Sequence, residues 1–323
     1  MNERILVTGG SGFIGTNLIE YYKKKNFTIL NIDIDAPLNK EQLDLYKKVD
    51  ILDRENFIKT TKEFKPDYII HLAAKADLLG KTLNYYNANI DGVKNLVEAV
   101  NTTPSVKKII VASTMLVCEV GYIPSHDNDY KATTLYGQSK VETEEIIKNS
   151  KVNCDWNIIR PTSIWGPWIV NTSYRPFFEM ILKEKYYDIG KKRTSTKTYG
   201  FVLNSVFQID KLLQSAVKEK VFYIGDKPSY NISNWAEVIA EESNKKKPKM
   251  IPFFVVKMAA LFGDFLSVFK ISFPLNSFRL KNMTKNNECN VNEIHDVAGE
   301  APYSMRDGVK ITLKWFKTHY SKS

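Results

Sequence analysis

Read from the N-terminus, short apolar runs alternate with longer segments whose apolar positions recur at helical spacing. β-rich runs fall at Arg4–Thr8, Thr28–Ile32, Tyr68–Leu72, Lys108–Ala112 and Trp156–Ile159. Between them lie amphipathic stretches such as Phe13–Tyr22 and Asn89–Val100. In the second of these, Ile90, Val93, Leu96, Val97 and Val100 share one helical face. Strands that are apolar along their whole length are buried on both faces. Their alternation with helices predicts an α/β chain built on a parallel, doubly wound sheet. After Pro161 the rhythm changes. Aromatics, Pro and Gly crowd Trp165-Gly166-Pro167-Trp168, and one short strand returns at Val221–Ile224 beside Gly225. The C-terminal third reads as mostly helical with loops. The expected organisation is a sheet unit over 1–165, with a returning segment near 199–225. A smaller mixed, mostly helical lobe is expected over 166–198 and 226–323.

Composition agrees with a packed chain. Of 323 residues, 43% are hydrophobic, which is enough for a sizeable core and excludes disorder. The 46 Lys and Arg exceed the 36 Asp and Glu, giving a formal net charge of +10. That balance fits a phosphorylated substrate, an anionic membrane surface or nucleic acid. No dense basic tract with interleaved aromatics supports nucleic acid. The longest cluster, Lys245, Lys246, Lys247 and Lys249, reads as a solvated loop. Cys118, Cys154 and Cys289 have no metal-ligand spacing and cannot all pair, which predicts free thiols in a reducing cytoplasm and no metal. The chain enters a strand at once, so no secretory signal is expected. The most apolar run, Phe253–Phe269, is interrupted by Lys257 and Asp264 and falls short of the ~18 residues of a membrane span. It is expected to be a helix of the C-terminal lobe that does not cross a membrane, although it could rest on an anionic one.

The first strand leads into Thr8-Gly9-Gly10-Ser11-Gly12-Phe13-Ile14-Gly15 and then a helix. Glycines at 9, 12 and 15 allow a tight turn, let a pyrophosphate approach backbone N–H groups and let the helix pack closely on the strand. The helix dipole adds a positive end. Asp33, at the end of the second strand, is placed to accept the ribose hydroxyls of an adenosine. A carboxylate there repels a 2′-phosphate, and the next residues are Ile34 and Asp35 rather than Arg. The expected cofactor is therefore NAD, not NADP. Asp50-Ile51 closes a short strand-like run and is expected to flank the adenine.

Tyr136-Gly137-Gln138-Ser139-Lys140 opens a helical pattern that continues over Val141–Lys148. Tyr and Lys four residues apart share a helix face. A phenol has an ordinary pKa near ~10. A neighbouring ammonium and a positive nicotinamide stabilise its phenolate and lower that value. Such a tyrosine can take a proton from a substrate hydroxyl while hydride leaves to the cofactor. Upstream, Ser113-Thr114 ends a strand at the ligand edge of a parallel sheet, where Thr114 can align the substrate oxygen.

These motifs resemble the extended short-chain dehydrogenase/reductases, the NAD-dependent epimerase/dehydratase family. The residues that carry the resemblance are the Thr8–Gly15 loop, Asp33, Asp50-Ile51, His71-Leu72-Ala73-Ala74, Asn89-Ile90-Asp91-Gly92, Ser113-Thr114, Tyr136–Lys140 and Arg160-Pro161 with Gly166-Pro167. Later echoes are Tyr223-Ile224-Gly225, Asn231-Ile232-Ser233 and Ser304–Val309. The resemblance covers nearly the whole chain, with the motifs in order. It implies a Rossmann domain holding NAD and a C-terminal lobe holding substrate. It also implies a catalytic Thr114, Tyr136 and Lys140, usually a nucleotide-sugar substrate, and a homodimer. Gly9, Gly12, Phe13, Ile14, Gly15, Asp33, Asp50, Ile51, Leu72, Ala73, Ala74, Asn89, Tyr136 and Lys140 would line the cofactor. Thr114, Ser163, Lys197 and Arg279 would face the substrate.

Departures from the family pattern narrow the chemistry. Family dehydratases carry Asp-Glu directly after the catalytic Thr, and decarboxylases a Glu-bearing version. Here Met115 and Leu116 stand there and cannot transfer protons. The reductases that epimerise at C3 and C5 have a Cys at the position of Met115, and Cys118 lies too far along, so it reads as packing. Ser163 stands where many sugar-nucleotide members have an Asn. What remains is hydride transfer with one proton moved by Tyr136, as in a 4-epimerase or a 4-ketoreductase. The alternative substrate is a lipid or steroid-like alcohol, suggested by the apolar run from Phe253. A non-catalytic NAD-binding regulator would not need Thr114, Tyr136 and Lys140.

Overall fold

The computed structural model describes residues 2–169, 174–269, 273 and 275–320; the side chains of 268, 278, 279, 282 and 320 lie outside the description. In chain order the elements are β1 (Glu3–Thr8), α1 (Phe13–Lys23), β2 (Phe27–Asp33), β3 (Tyr46–Lys48), α2 (Arg54–Phe64), β4 (Tyr68–His71), α3 (Asn87–Asn101), β5 (Lys108–Ala112), α4 (Leu135–Asn149), β6 (Asp155–Pro161) and β7 (Ser163–Trp165). There follow α5 (Tyr174–Leu182), β8 (Tyr187–Asp188), β9 (Thr196–Lys197), β10 (Tyr199–Phe201), α6 (Val202–Gln214), β11 (Lys220–Ile224), β12 (Tyr230–Asn231), α7 (Ile232–Glu242), β13 (Lys249–Met250), α8 (Phe253–Val268), α9 (Ser277–Thr284), α10 (Asn292–Ala298) and α11 (Met305–Tyr320).

Seven parallel strands form one sheet in the order β11-β6-β5-β4-β1-β2-β3. This is the expected doubly wound sheet. Chain order reverses between β1 and β4, where Val7 pairs with Ile70 and Thr8 with His71. In such sheets ligands bind beyond the strand C-termini at that switch point. Successive side chains of β1 point to opposite faces. Ile5 and Val7 join Leu18, Ile19, Ile209, Leu212 and Ile294 in one core, beneath α1, α6 and α10. Leu6 joins Phe57, Val93, Leu96 and Ile147 in the other, beneath α2, α3 and α4. A third core, rich in aromatics, holds Trp165, Phe178, Phe201, Trp235 and Phe316.

Three features differ from the reading of the pattern or refine it. Helix α2 went unread because Thr60 and Thr61 share its buried side with Phe57, so the apolar signal is weak. The lysine cluster at 245–249 is solvated as expected, except that Lys249 enters β13, a short strand beside β8. The run from Phe253 is a helix as expected, and among the described residues no helix is long and apolar enough to cross a membrane.

Several late motifs prove to be structural. Asn231 caps α7, its Oδ1 accepting the Ser233 N–H at 2.9 Å. Ser304 donates its hydroxyl to Asp307 at 2.6 Å in the first turn of α11. A Cβ on Gly308 would come within 2.8 Å of Trp165, so this glycine lets α11 approach the aromatic core.

Candidate active site

The loop after β1 is held by contacts that only glycine tolerates. Gly9 has φ +70°, and a Cβ there would lie 2.5 Å from Ala73 N. A Cβ on Gly15 would lie 2.4 Å from Gly9 O, so α1 begins pressed against its own loop. Gly12, at the N-cap of α1, offers no side-chain cap, and the first turn contains no acidic residue. The N–H groups of Phe13, Ile14 and Gly15 thus begin a helix whose positive end fits an anionic pyrophosphate. Asp33 sits over the loop, its Oδ2 accepting the Ser11 N–H at 3.0 Å. Burial raises its pKa against the pull of the Asp35, Ser11 and Ile34 N–H groups. Val49 N–H donates to Asp33 O at 3.0 Å, which brings Asp50 and Ile51 beside it. Ile51 is buried against Gly92, where a Cβ would lie 2.5 Å from Ile51 Cδ1, and Asp50 is exposed.

Across the switch point, Leu72 N–H donates to Thr8 O at 3.0 Å and Ala73 N–H to Thr8 Oγ1 at 3.2 Å. Thr8 Oγ1 also meets His71 Nδ1 at 2.8 Å. His71 is fully buried, and desolvation, with the Lys140 charge, drives its pKa down to about 3. Leu72 and Ala73 thereby lie against the glycine loop, with Ala74 next in the chain. A loop with helix N–H groups, a carboxylate at the next strand end and small residues beneath them is a chemical fit to a dinucleotide.

Helix α4 carries the catalytic candidates, and Thr134 caps it by accepting the Gly137 N–H at 3.0 Å. A Cβ on Gly137 would lie 2.3 Å from Leu116 O, so the glycine lets the loop bearing Thr114 close on α4. The Tyr136 phenol is buried, with Thr114 against it. Burial pushes Tyr136 up to about 12, and the hydrogen bond of Thr114 acts the other way. The lowering expected from Lys140 is not found. The ammonium instead donates to Ala112 O at 2.8 Å, so the phenol receives no charge from it. Lys140 is fully buried, and desolvation lowers it to about 8.

Asn89 locks α3 to this helix. Its Nδ2 donates to Ser139 Oγ at 2.9 Å and to Lys75 O at 3.0 Å, and its backbone O accepts from Thr143 at 2.6 Å. One turn beyond Lys140, Glu144 takes a bidentate bond from Arg160, 2.8 Å to each oxygen, and accepts from Ser113 Oγ at 2.6 Å and Tyr130 at 3.0 Å. Burial pushes the Glu144 carboxyl up, but Arg160 outweighs it, so the group lies below the usual carboxylate range. This network fixes Ser113, and hence Thr114, against α4. The sequence reading missed Glu144. Its signal was a Glu eight residues after Tyr136, on the same buried face as Lys140.

The remaining candidates are dispersed. The Ser163 hydroxyl bonds the Tyr174 phenol. Lys197 lies in β9, and burial lowers its pKa. It pairs with Asn287, which sequence reading also missed. Asn287 reaches the loop that follows Thr114: its Oδ1 accepts the Gly121 N–H at 2.7 Å and its Nδ2 points to Met115 Sδ at 3.7 Å. Arg279 lies on α9, but its side chain is outside the described residues. Cys118 is buried, its thiol directed to Asp129 O at 3.4 Å, and takes no part in the site. Among the described residues no group of three or more His, Cys, Asp or Glu is arranged for a metal.

Comparison with known proteins gives a consistent picture. Residues 5–225 match the family described as the NAD dependent epimerase/dehydratase family. The chain is similar to an N-acetyl-α-D-glucosaminyl-diphospho-ditrans,octacis-undecaprenol 4-epimerase of Escherichia coli O157:H7, at 28% identity over 100% of this chain and 98% of that protein. It is also similar to a 3-beta-hydroxysteroid dehydrogenase of Mycolicibacterium neoaurum, at 26% identity over 76% of this chain and 72% of that one. Its fold matches the crystal structure of a UDP-glucose 4-epimerase with UDP-glucose from Thermotoga maritima. The TM-score is 0.76 at 20% identity, over 98% of this chain and 99% of the other.

Proposed function

The chain belongs to the NAD dependent epimerase/dehydratase family, and from that premise we propose that it is an NAD(H)-dependent enzyme transferring hydride at the C4 hydroxyl or keto carbon of a nucleotide sugar, as a 4-epimerase. The observation that carries the reading is the buried Thr114, Tyr136 and Lys140 group, flanked by Met115 and Leu116. Gly9, Gly12, Phe13, Ile14 and Gly15 would hold the NAD pyrophosphate and Asp33 the adenosine ribose. Asp50 and Ile51 would flank the adenine, with Leu72, Ala73 and Ala74 beneath the cofactor. What NAD supplies when bound is reversible hydride acceptance at the sugar carbon. The Tyr136 phenolic oxygen takes the O4 proton and gives it back, and the Thr114 hydroxyl aligns O4. With its phenol held near 12, Tyr136 ionises only beside positive charge, which the nicotinamide of bound NAD+ would bring to it. Lys140 would also hold the nicotinamide ribose, and Asn89 keeps α3 against α4 behind it.

Because Met115 and Leu116 cannot move protons, loss of water from the sugar has no second acid–base pair. A single proton shuttle suffices if the 4-keto sugar turns over between two transfers, and the E. coli relative, named a 4-epimerase and matched along its whole length, supports that reading. Reduction of a 4-keto sugar would use the same groups. Ser163, Lys197 and Arg279 are assigned to the substrate side, the two cations to its phosphates. The domain division, with the sheet unit over 1–165 and near 199–225, belongs to the same proposal, as do a cytoplasmic location and a homodimer. The three cysteines are free, which supports the cytoplasm. Kinetics on nucleotide sugars and on hydrophobic alcohols test the proposal. Nucleotide sugars should be turned over, and Lys197→Ala and Arg279→Ala should raise KM more than they lower kcat, because a remote phosphate contact is largely uniform binding. Turnover of the alcohols alone would overturn it.

A further inference from the structure

Helix α8 turns an apolar stripe to solvent. Phe254, Met258, Leu261, Phe262, Phe265 and Phe269 recur at spacings that place them on one side of the helix axis. Their exposure runs from 49% at Leu261 to 67% at Phe254. The opposite side is already used. Ala260 is buried, and a Cβ on Gly263 would lie 1.8 Å from Leu275 O, so small residues seat α8 on the segment leading into α9. Single exposed apolar residues are ordinary, whereas a contiguous stripe marks an interaction surface.

The charges around the stripe indicate what covers it. The Arg193 guanidinium stacks over the Phe253 ring at 5.0 Å, with exposed Lys192 beside it in the chain. Lys249 lies four residues before the first residue of the helix, Lys257 lies on it, and Lys281 lies on α9, all exposed. The one acidic residue of α8, Asp264, accepts the Ser277 N–H of α9 at 3.0 Å. An aromatic and aliphatic stripe with a basic rim matches an anionic bilayer interface. A second copy of the chain would bring like charges together. The end of α9 is also tied to the loop that follows Thr114. Just past the end of α9, Asn286 accepts the Thr196 N–H at 2.9 Å, and Asn287 bonds Gly121 and faces Met115, next to Thr114.

We propose that the exposed stripe of α8 seats the enzyme on an anionic bilayer, where the site also takes a sugar diphosphate whose second ester joins a lipid rather than a nucleoside. The proposal rests on the reading of the site as a diphosphate-sugar epimerase. It also accords with the lipid-linked substrate named for the E. coli relative.

Flotation with vesicles of equal parts phosphatidylcholine and phosphatidylglycerol, using the full chain loaded with NAD, tests the docking. Wild type should float, and both Phe254→Ser/Phe265→Ser and the charge reversal Lys192→Glu/Lys257→Glu should float at least tenfold less. All three should bind NAD equally, which excludes misfolding. The substrate half is tested with a polyprenyl-diphosphate hexose in the same vesicles. Its conversion should fall in both double variants, while conversion of a water-soluble nucleotide sugar should be unchanged. Wild type that stays unbound while turning over nucleotide sugars overturns the docking and leaves the reading of the site intact. Variants that float like wild type also overturn it, as does self-association through α8 in place of vesicle binding. Vesicle-bound enzyme that converts nucleotide sugars but not the lipid-linked sugar overturns the substrate half. Vesicle-bound enzyme that converts neither overturns the reading of the site on which that half rests.

Discussion

Helices α4 and α8 span 15 and 16 residues and break the usual sorting of residues in opposite directions. Helix α4 buries Tyr136, Ser139, Lys140, Thr143 and Glu144, five polar side chains on one face. Helix α8 exposes six large apolar ones. Burying a polar group is costly unless it is bonded, and each of these five has a bonding partner that fixes the helix in place. Exposing an apolar stripe gives up burial that the fold could have used, so α8 keeps its surface available to something outside the chain. On the proposed reading, α4 serves the chemistry inside the molecule, at Thr114, and α8 serves a surface outside it.

The largest expected effect falls on the buried side of this comparison. Tyr136→Phe should lower turnover by ~10²–10⁴-fold while leaving NAD binding nearly unchanged, because only the proton transfer is removed. Steady-state kinetics with calorimetry of NAD binding check both. A variant retaining more than about a tenth of the wild-type rate would mean that another group moves the proton.

Next in size, Glu144→Gln should cost about 3–5 kcal/mol of stability, because it leaves the buried Arg160 cation without its counter-ion. Phe265→Ser, on the exposed stripe, should change stability by no more than ~0.5 kcal/mol. Chemical denaturation of the two variants sharpens the contrast, and equal losses would break it.

How much was legible follows the same division. The glycine loop could be read because Gly9 and Gly15 are each required by a contact within or next to the loop, and the Tyr136 and Lys140 spacing because both lie on one helix. Glu144 and Arg160 were not read as a pair, since their meeting depends on β6 lying beside α4. Asn287 lies far along the chain from Gly121 and Met115, and no local pattern joins them. For α8 the periodicity predicted a helix but not which side packs. That choice depends on Gly263, which lets Leu275 O approach where a Cβ would collide, a contact between residues 12 apart in the chain.

A smaller effect per unit is expected from pH. The buried His71 ring resists protonation down to about 3, while an unfolded ring takes up a proton below ~6.5. Stability is therefore complete above pH ~6.5 and falls as pH falls toward 3, by about 1.4 kcal/mol per unit. The slope should become shallower in a His71→Gln variant, measured by denaturation across that range.

The smallest expected effect is on cofactor choice. Asp33→Ala should narrow the preference for NAD over NADP, which in wild type should be at least about tenfold, or 1.4 kcal/mol. Calorimetry with both cofactors measures it, and equal affinities in the wild-type protein would remove Asp33 from its role.

The most direct test of the central claim is a proton NMR time course in D₂O, with purified enzyme, NAD and a panel of uridine and deoxythymidine diphosphate hexoses. The account predicts interconversion of a pair of 4-epimers with protium retained at C4 and no net accumulation of NADH, because hydride leaves and returns to one carbon while only the O4 proton exchanges at Tyr136. Deuterium appearing at C4, or no conversion of any diphosphate hexose, would contradict it.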